Sequence, residues 1–181
     1  MTADLDFLTP STPDADTVPG QPGESARARL FLAPGGHGAG ALDGAWWPYS
    51  RDLARELPAL AAAMDGPWGR LTRVLVNPAH WPVVPRRIQL PGRPLHIGWF
   101  AAEQDPDMII LRSYSVGRWD LLVIPPGTPA DTAARLMTAA AAPDNRLAAS
   151  ALLARETSER ETPERDTGGV RTEQKEEARA S

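Results

Sequence analysis

Short stretches in which apolar and polar residues alternate fill the middle of the chain. Alternation with a period of two is typical of β-strands that bury one face. The pattern predicts six strands, separated by turns rich in proline, glycine and aspartate: Ala28–Pro34, Leu71–Val76, Arg86–Leu90, Leu95–Phe100, Met108–Arg112 and Arg118–Ile124. The turns between the later strands are too short for a parallel crossover, which takes about a dozen residues or more, so we expect antiparallel neighbours.

A helix should follow the first strand. After Ser50, a predicted N-cap, the apolar residues Leu53, Leu57 and Leu60 recur at helical spacing. Pro58 lies inside this stripe and lacks an N–H, so we expect the helix to kink or to split there.

Two further helices are predicted towards the C-terminus. Residues 128–131 (Thr-Pro-Ala-Asp) combine a hydroxyl cap with proline at the first helical position, and residues 143–144 (Pro-Asp) should end that helix and cap the next. Together these elements predict an α+β fold: an antiparallel, curved sheet of about six strands, with one helix after the first strand and two C-terminal helices, all packed on one side of the sheet.

The distribution of charge divides the chain into three parts. Residues 1–26 carry five acidic and no basic residues, residues 27–154 carry thirteen arginines and ten acidic residues, and residues 155–181 carry six basic and eight acidic residues. Both end segments lack periodic apolar residues. We therefore predict a disordered acidic tail at 1–26, a single domain at 27–154 and a disordered charged tail at 155–181.

The composition excludes several chemistries. The absence of cysteine excludes disulfides, thiolate nucleophiles and zinc–thiolate sites. Lys175, in the C-terminal tail, is the only lysine, so the domain cannot supply a Schiff-base lysine. There is no signal-peptide pattern and no apolar run of the roughly 20 residues that cross a bilayer, so we expect a cytoplasmic protein that does not contact membranes.

Known catalytic and cofactor motifs are also missing. The segment APGGHGAGALDG lies between a predicted strand and a predicted helix, but its glycines do not have the spacing of a dinucleotide fingerprint. Neither the Gly-x-Ser-x-Gly elbow nor the His-Glu-x-x-His motif occurs. Because His37, His80 and His96 are scattered along the chain, we predict neither a metal nor a cofactor.

Tryptophans are unusually frequent in the predicted loops. Trp46, Trp47 and Trp81 lie next to prolines outside the predicted strands, whereas Trp99 and Trp119 lie within strands and are expected in the core. The loop indoles could either close one end of the sheet or line a ligand cleft. The candidate ligand- or partner-binding surface combines them with neighbouring polar residues: Asp43, Trp46, Trp47, Ser50, Arg51, Trp81 and Arg86.

Asp120 is a charged residue within an apolar strand. Its carboxylate needs a partner, and an arginine from a neighbouring strand, Arg112 or Arg73, could supply one. We favour a structural ion pair between Asp120 and Arg112. The alternative is a general acid or base role for Asp120, together with Asp43 or His37.

The densest basic cluster lies on or near the strands after the first helix and consists of Arg70, Arg73, Arg86, Arg87 and Arg93. An anion- or partner-binding surface would account for it, and so would ordinary solvated strand edges. Because the domain is only mildly basic, the tails are acidic and no nucleic-acid-binding motif is present, we do not expect nucleic acid as a partner.

Several segments together resemble a known family. The runs GALDGAWWPYSRDLARELPAL, VNPAHWPVVPRRI, HIGWF and LLVIPPGTP are similar to those of small actinobacterial proteins that carry a domain of unknown function, marked by a GxLDGAWWPxSRDL segment. The resemblance covers about residues 28–154, and the family pattern often has arginine at the position of Tyr49. It implies a fold unit and an origin but no reaction.

Two functional hypotheses follow. The first is a non-catalytic binding or regulatory domain that uses the tryptophan- and arginine-rich loop surface to bind an unknown protein or small-molecule ligand. The alternative is a small enzyme of unknown reaction with an Asp/His site in a tryptophan-lined pocket.

Overall fold

A computed structural model describes residues 27–34, 39–66, 68–100 and 104–161. Within these ranges there are seven strands: β1 (Arg29–Leu32), β2 (Gly44–Trp47), β3 (Leu71–Val76), β4 (Arg87–Leu90), β5 (Arg93–Trp99), β6 (Met108–Ser113) and β7 (Arg118–Val123). The helices are α1 (Leu53–Met64), α2 (Ala130–Ala140) and α3 (Ala149–Glu161), with a short 3-10 turn at Pro78–His80. None of these helices is long and apolar enough to span a bilayer.

All strands belong to one open sheet, in the order β1-β2-β7-β6-β3-β5-β4. The pairs β2–β7 and β3–β5 are parallel and the other pairs are antiparallel, so the α+β class is confirmed and the purely antiparallel prediction is wrong. Short turns do not exclude parallel neighbours here, because β4, the strand that follows β3, lies at the edge of the sheet. The chain then returns through β5, which inserts between β4 and β3.

The strand missing from the prediction is β2, whose sequence predicts a loop. Three of its four residues are buried because both faces of the sheet are covered there, and such a strand shows no alternation of apolar and polar residues. Gly44 begins the strand with a φ of 151°, and a Cβ atom at this position would lie 2.2 Å from the carbonyl oxygen of Phe31. The close approach of β1 therefore requires glycine.

Helices cover both faces of the sheet, which corrects the prediction that they share one side. Trp46 and Leu121 point into a core beneath α1, and their neighbours in sequence, Ala45 and Leu122, point into a second core beneath α2 and α3. This division follows from the alternation of side chains along a strand. On the face covered by α2 and α3, these helices contact the β1, β2 and β7 end of the sheet.

Helix α1 begins later than predicted. Its N-cap is Asp52, whose carboxylate accepts a hydrogen bond from the Arg55 N–H, and not Ser50. The helix also runs through Pro58 without splitting. The missing N–H of Pro58 removes one hydrogen bond, to the carbonyl of Ala54, an exposed residue of α1.

The two C-terminal helices are present, with different ends from those predicted. Helix α2 is capped by Pro129, without a side-chain hydrogen bond, instead of by the Thr128 hydroxyl. Helix α3 is held at its start by Asp105, whose carboxylate accepts hydrogen bonds from the N–H and the hydroxyl of Ser150 at 3.0 and 2.8 Å. It continues beyond residue 154, the predicted domain boundary. The predicted tail at 1–26 and residues 162–181 lie outside the described ranges.

Candidate functional site

Two of the tryptophans assigned to the candidate surface are core residues. Trp46, in β2, and Trp81, after the 3-10 turn, are only 1% and 5% exposed and stack with ring centroids 5.7 Å apart at an interplanar angle of 17°. Both belong to the core beneath α1. Both rings are buried in this structure, and this arrangement favours the role of closing one end of the sheet over that of lining a ligand cleft.

Trp47 faces the other side of the sheet and is covered by an arginine. The guanidinium carbon of Arg29 lies 3.4 Å from the Trp47 ring centroid and 4.0 Å from that of Tyr49, and Arg29 also donates to the carbonyls of Trp47 and Pro48 at 3.0 and 2.7 Å. Burial lowers the pKa of Arg29. A cation held over an aromatic face stabilises the pair, so these contacts fasten β1 to the end of β2.

The polar residues after β2 are bound to α1 through a glutamate that the sequence analysis did not single out. Glu56 is 7% exposed and accepts hydrogen bonds from the Ser50 hydroxyl at 2.8 Å and from the Tyr49 N–H at 3.0 Å. An acidic residue inside the apolar stripe of α1 was the available signal, because a buried carboxylate needs donors. Ser50 therefore has a structural role, and Arg51 is exposed beside it.

The two candidate acids lie side by side at the start of the β2–β7 pair. Asp43 Oδ2 accepts from the Asp120 N–H at 2.8 Å, and the Asp43 N–H donates to the Asp120 carbonyl at the same distance. The Asp120 carboxylate accepts from Arg118 Nε at 2.6 Å, so its partner is Arg118 instead of Arg112 or Arg73. This hydrogen bond is the main cause of the raised pKa of Arg118. His37, the third residue of the enzyme hypothesis, lies outside the described residues.

Four arginines and one histidine form a continuous row, called here the arginine row, across the face of the sheet opposite α1. Each residue of the row is the direct cross-strand partner of the next, in the order Arg118, Arg112, Arg73, His96 and Arg87 on β7, β6, β3, β5 and β4. All five residues are exposed. Since adjacent strands are about 4.8 Å apart, the row is about 19 Å long.

The charges of this row are largely uncompensated. Arg118 pairs with Asp120, but within the described part of the chain no ion pair or hydrogen bond is made by the guanidinium groups of Arg73, Arg87 or Arg112. Like charges directly opposite each other on a sheet are destabilising. Folding of the domain therefore places like charges next to one another on this face.

A hollow of about 350 Å³ lies next to the row and is lined by Arg73, Arg86, His96, Gly98 and Trp99. A Cβ atom on Gly98 would lie 2.7 Å from Leu75 Cδ2, so the Leu75 side chain packs against this position on the neighbouring strand. Trp99 was expected in the core but is 55% exposed at the end of β5. Of the residues predicted to form the binding surface, Arg86 is the one that lines this hollow.

A larger cavity of about 590 Å³ lies between α2 and α3, with Thr132, Leu136, Leu153 and Glu156 among its lining residues. Its acidic residue is already paired, because Arg135 Nε donates to Glu156 Oε1 at 2.7 Å. The cavity thus offers a ligand no uncompensated charge. The arginine row and its hollow are chemically the more distinctive site.

A family model described as a family of unknown function, DUF5994, matches residues 29–140. The chain belongs to the DUF5994 family. The expected membership of a family of unknown function is thereby confirmed. No significant match was found among curated proteins or among solved structures.

The DUF5994 match begins at the first residue of β1 and ends at the last residue of α2. It includes all seven described strands, and with them the arginine row and the hollow. Helix α3 lies beyond it. The candidate site is therefore built entirely from the part of the chain that defines the DUF5994 domain here.

Proposed function

We propose that the domain is a non-catalytic binding module for an anionic ligand, and that the arginine row with its adjoining hollow is the binding surface. The observation that carries the proposal is the cross-strand register of Arg118, Arg112 and Arg73, which places three arginine residues next to one another on one face of the sheet. The proposal keeps the binding function inferred from the sequence and moves it from the tryptophan loops to the open face of the sheet.

The chemistry of the arginine side chain supports an anionic ligand. A guanidinium group presents several N–H donors in a planar fork that matches phosphate and carboxylate oxygens. The same side chains disfavour self-association through this face, because two copies would bring their arginines together. Occupation by an anion relieves the repulsion along the row.

The alternative of catalysis by Asp43 and Asp120 has weaker support. Asp43 accepts the backbone N–H of Asp120, and Asp120 holds Arg118, so both carboxylates have structural partners. Neither acid lines the hollow or the larger cavity. A binding role needs no group beyond those that the row already presents.

Retention on heparin–agarose tests the proposal. The double substitution Arg73→Gln/Arg112→Gln removes two row charges and should make the protein elute at a lower salt concentration. The matched control, Arg55→Gln/Arg155→Gln, removes the same charge from exposed positions on α1 and α3. It should elute close to the parent protein. Equal elution of the two double variants would show that net charge, and not the row, determines binding.

A further inference from the structure

We infer that the acidic N-terminal segment of the chain itself, residues 1–26, binds along the arginine row and is displaced when an external anionic ligand binds. The inference rests on the proposed function and names the occupant of the same surface in the free protein. Its support is the charge of the segment, the spacing of its carboxylates and the place at which it joins the sheet.

The segment carries the charge that the row lacks. Residues 1–26 contain no basic residue and five acidic residues: Asp4, Asp6, Asp14, Asp16 and Glu24. Among the described residues, an acidic partner for the row is found only at Arg118, and it is Asp120. Residues 162–181, which follow α3, match the row less well because they contain five acidic and four basic residues. Charge complementarity therefore selects the N-terminal segment.

Four of the acidic residues occur in two pairs, each with one residue between its members: Asp4 with Asp6, and Asp14 with Asp16. In an extended backbone, residues two apart project to the same side and lie about 7 Å from each other. The neighbouring strands of the row are about 4.8 Å apart, and long arginine side chains can take up the difference. Each acidic pair can therefore meet two neighbouring guanidinium groups, whose planar N–H forks match carboxylate oxygens.

The segment also joins the sheet within reach of the row. The pairing of β1 with β2 and of β2 with β7 places Arg27 about eight residues along the strand direction from Arg118. With four strand spacings across the sheet, Arg73 lies about 32 Å from Arg27. The chain from Asp6 to Arg27, about 21 residues, spans about 70 Å when fully extended. This length allows a path around α2 and α3, which cover the β1, β2 and β7 end of the same face.

Covalent attachment makes binding of the segment intramolecular. An exposed pair of arginine and carboxylate is weak by itself. Attachment raises the effective concentration of the segment at the row, to on the order of millimolar for a short linker. A polyanion that contacts the whole row makes more pairs at once and displaces the segment. The segment therefore shields the row from small anions and yields to ligands with several charges.

Retention of the full chain on heparin–agarose tests the inference. Two variants each remove four negative charges, one from the N-terminal segment and the matched control from residues 162–181: Asp4→Asn/Asp6→Asn/Asp14→Asn/Asp16→Asn and Glu164→Gln/Asp166→Asn/Glu173→Gln/Glu177→Gln. The N-terminal variant should elute at a higher salt concentration than the control because it frees the row. In the Arg73→Gln/Arg112→Gln background this difference should shrink. Circular dichroism verifies that each variant is folded.

A spin label locates the segment directly. The chain contains no cysteine, so Ala3→Cys accepts a nitroxide at one position, next to Asp4. The label should broaden the amide signals of Arg73 and Arg112 in NMR spectra at low salt. The signals should recover at about 1 M salt, where the screening length falls to about 3 Å. The matched control, Ala180→Cys, carries the label near the other end of the chain and should leave both signals sharp.

The inference is overturned if the two four-charge variants elute together, or if the label at residue 3 leaves the signals of Arg73 and Arg112 sharp. Either result leaves the proposed function standing, because an external anion can bind a row that the segment does not occupy. Equal elution of Arg73→Gln/Arg112→Gln and Arg55→Gln/Arg155→Gln would instead remove the proposed function, and with it the basis of this inference.

Discussion

Arg73 on β3 and Arg112 on β6 lie directly opposite each other in an antiparallel pair, with both side chains exposed on the same face of the sheet. Arg118 lies on the other side of Arg112 in the same register. Three neighbouring strands thus place like charges next to one another. The domain keeps this repulsion in its folded state, and the repulsion has measurable consequences.

We predict that Arg112→Gln stabilises the domain at low ionic strength. Arg112 has an arginine on each side, and removing its charge should raise the free energy of unfolding by about 0.2–1 kcal/mol. The gain should shrink at about 1 M salt, where the screening length falls to about 3 Å. Urea denaturation at both salt concentrations measures the effect. Arg55→Gln, on the exposed side of α1, is the control and should change stability little. A destabilised Arg112→Gln variant would contradict the repulsion argument.

A second prediction concerns the stacked pair in the core. Trp81→Ala removes a ring that is 5% exposed and stacks on Trp46, so it should lower the free energy of unfolding by about 3–5 kcal/mol. Trp81→Phe should cost less because it keeps a ring against Trp46. Trp99→Ala, at a half-exposed position, is the comparison and should cost clearly less than Trp81→Ala.

If Trp81→Ala instead kept the stability of the parent protein, Trp81 would not be a core residue in solution. The role of a ligand-facing wall would then regain support. Chemical denaturation monitored by circular dichroism decides the question without a known ligand.

The elements that bury one face were predictable from alternation alone. Strand β3 occurs with the predicted bounds, Leu71–Val76, because its residues alternate between the core and an open face. Strand β2 could not be found in this way, since α1 covers one of its faces and α2 the other. Without β2, Trp46 was assigned to a loop and the parallel pairing with β7 was missed.

The candidate site depends on information that local patterns do not contain. Arg73, Arg112 and Arg118 come from three strands, and their alignment is set by strand order and register. Two of these three were noted in the sequence, Arg73 in the basic cluster and Arg112 as a partner for Asp120. Their adjacency follows only from the long-range pairing of β3 with β6, which the sequence spacing does not determine.

The contact between Asp43 and Asp120 gives a third prediction. Asp43→Ala leaves the half-buried Asp120 N–H without its acceptor and should lower the free energy of unfolding by about 1–3 kcal/mol. Asp43→Asn keeps a side-chain oxygen that can accept the same hydrogen bond and should cost less. Thermal or urea denaturation of the two variants measures the difference. Equal losses in both variants would show that the negative charge of Asp43, and not this hydrogen bond, is what stabilises the start of the β2–β7 pair.

The last prediction concerns the pH dependence of stability and rests on Asp107. Burial raises the pKa of Asp107, and Asp105 adds to the rise, whereas His80, whose Nε2 lies 3.3 Å from Asp107 Oδ1, opposes it. A raised pKa means that the folded state binds this proton more tightly than the unfolded state does. The resulting stabilisation is complete below the ordinary aspartate value of 3.8 and is lost as the pH rises through the higher folded value.

Asp107→Asn should remove this contribution. The free energy of unfolding of the parent protein should therefore fall relative to that of Asp107→Asn as the pH is raised from about 4 towards neutrality, because only the parent carboxylate ionises against the cost of burial. Asp144→Asn, at an exposed position, is the control and should show no such trend relative to the parent. Urea denaturation at several pH values measures the differences. A parent protein that gains stability relative to Asp107→Asn over this range would show that the attraction of His80 outweighs burial at this site.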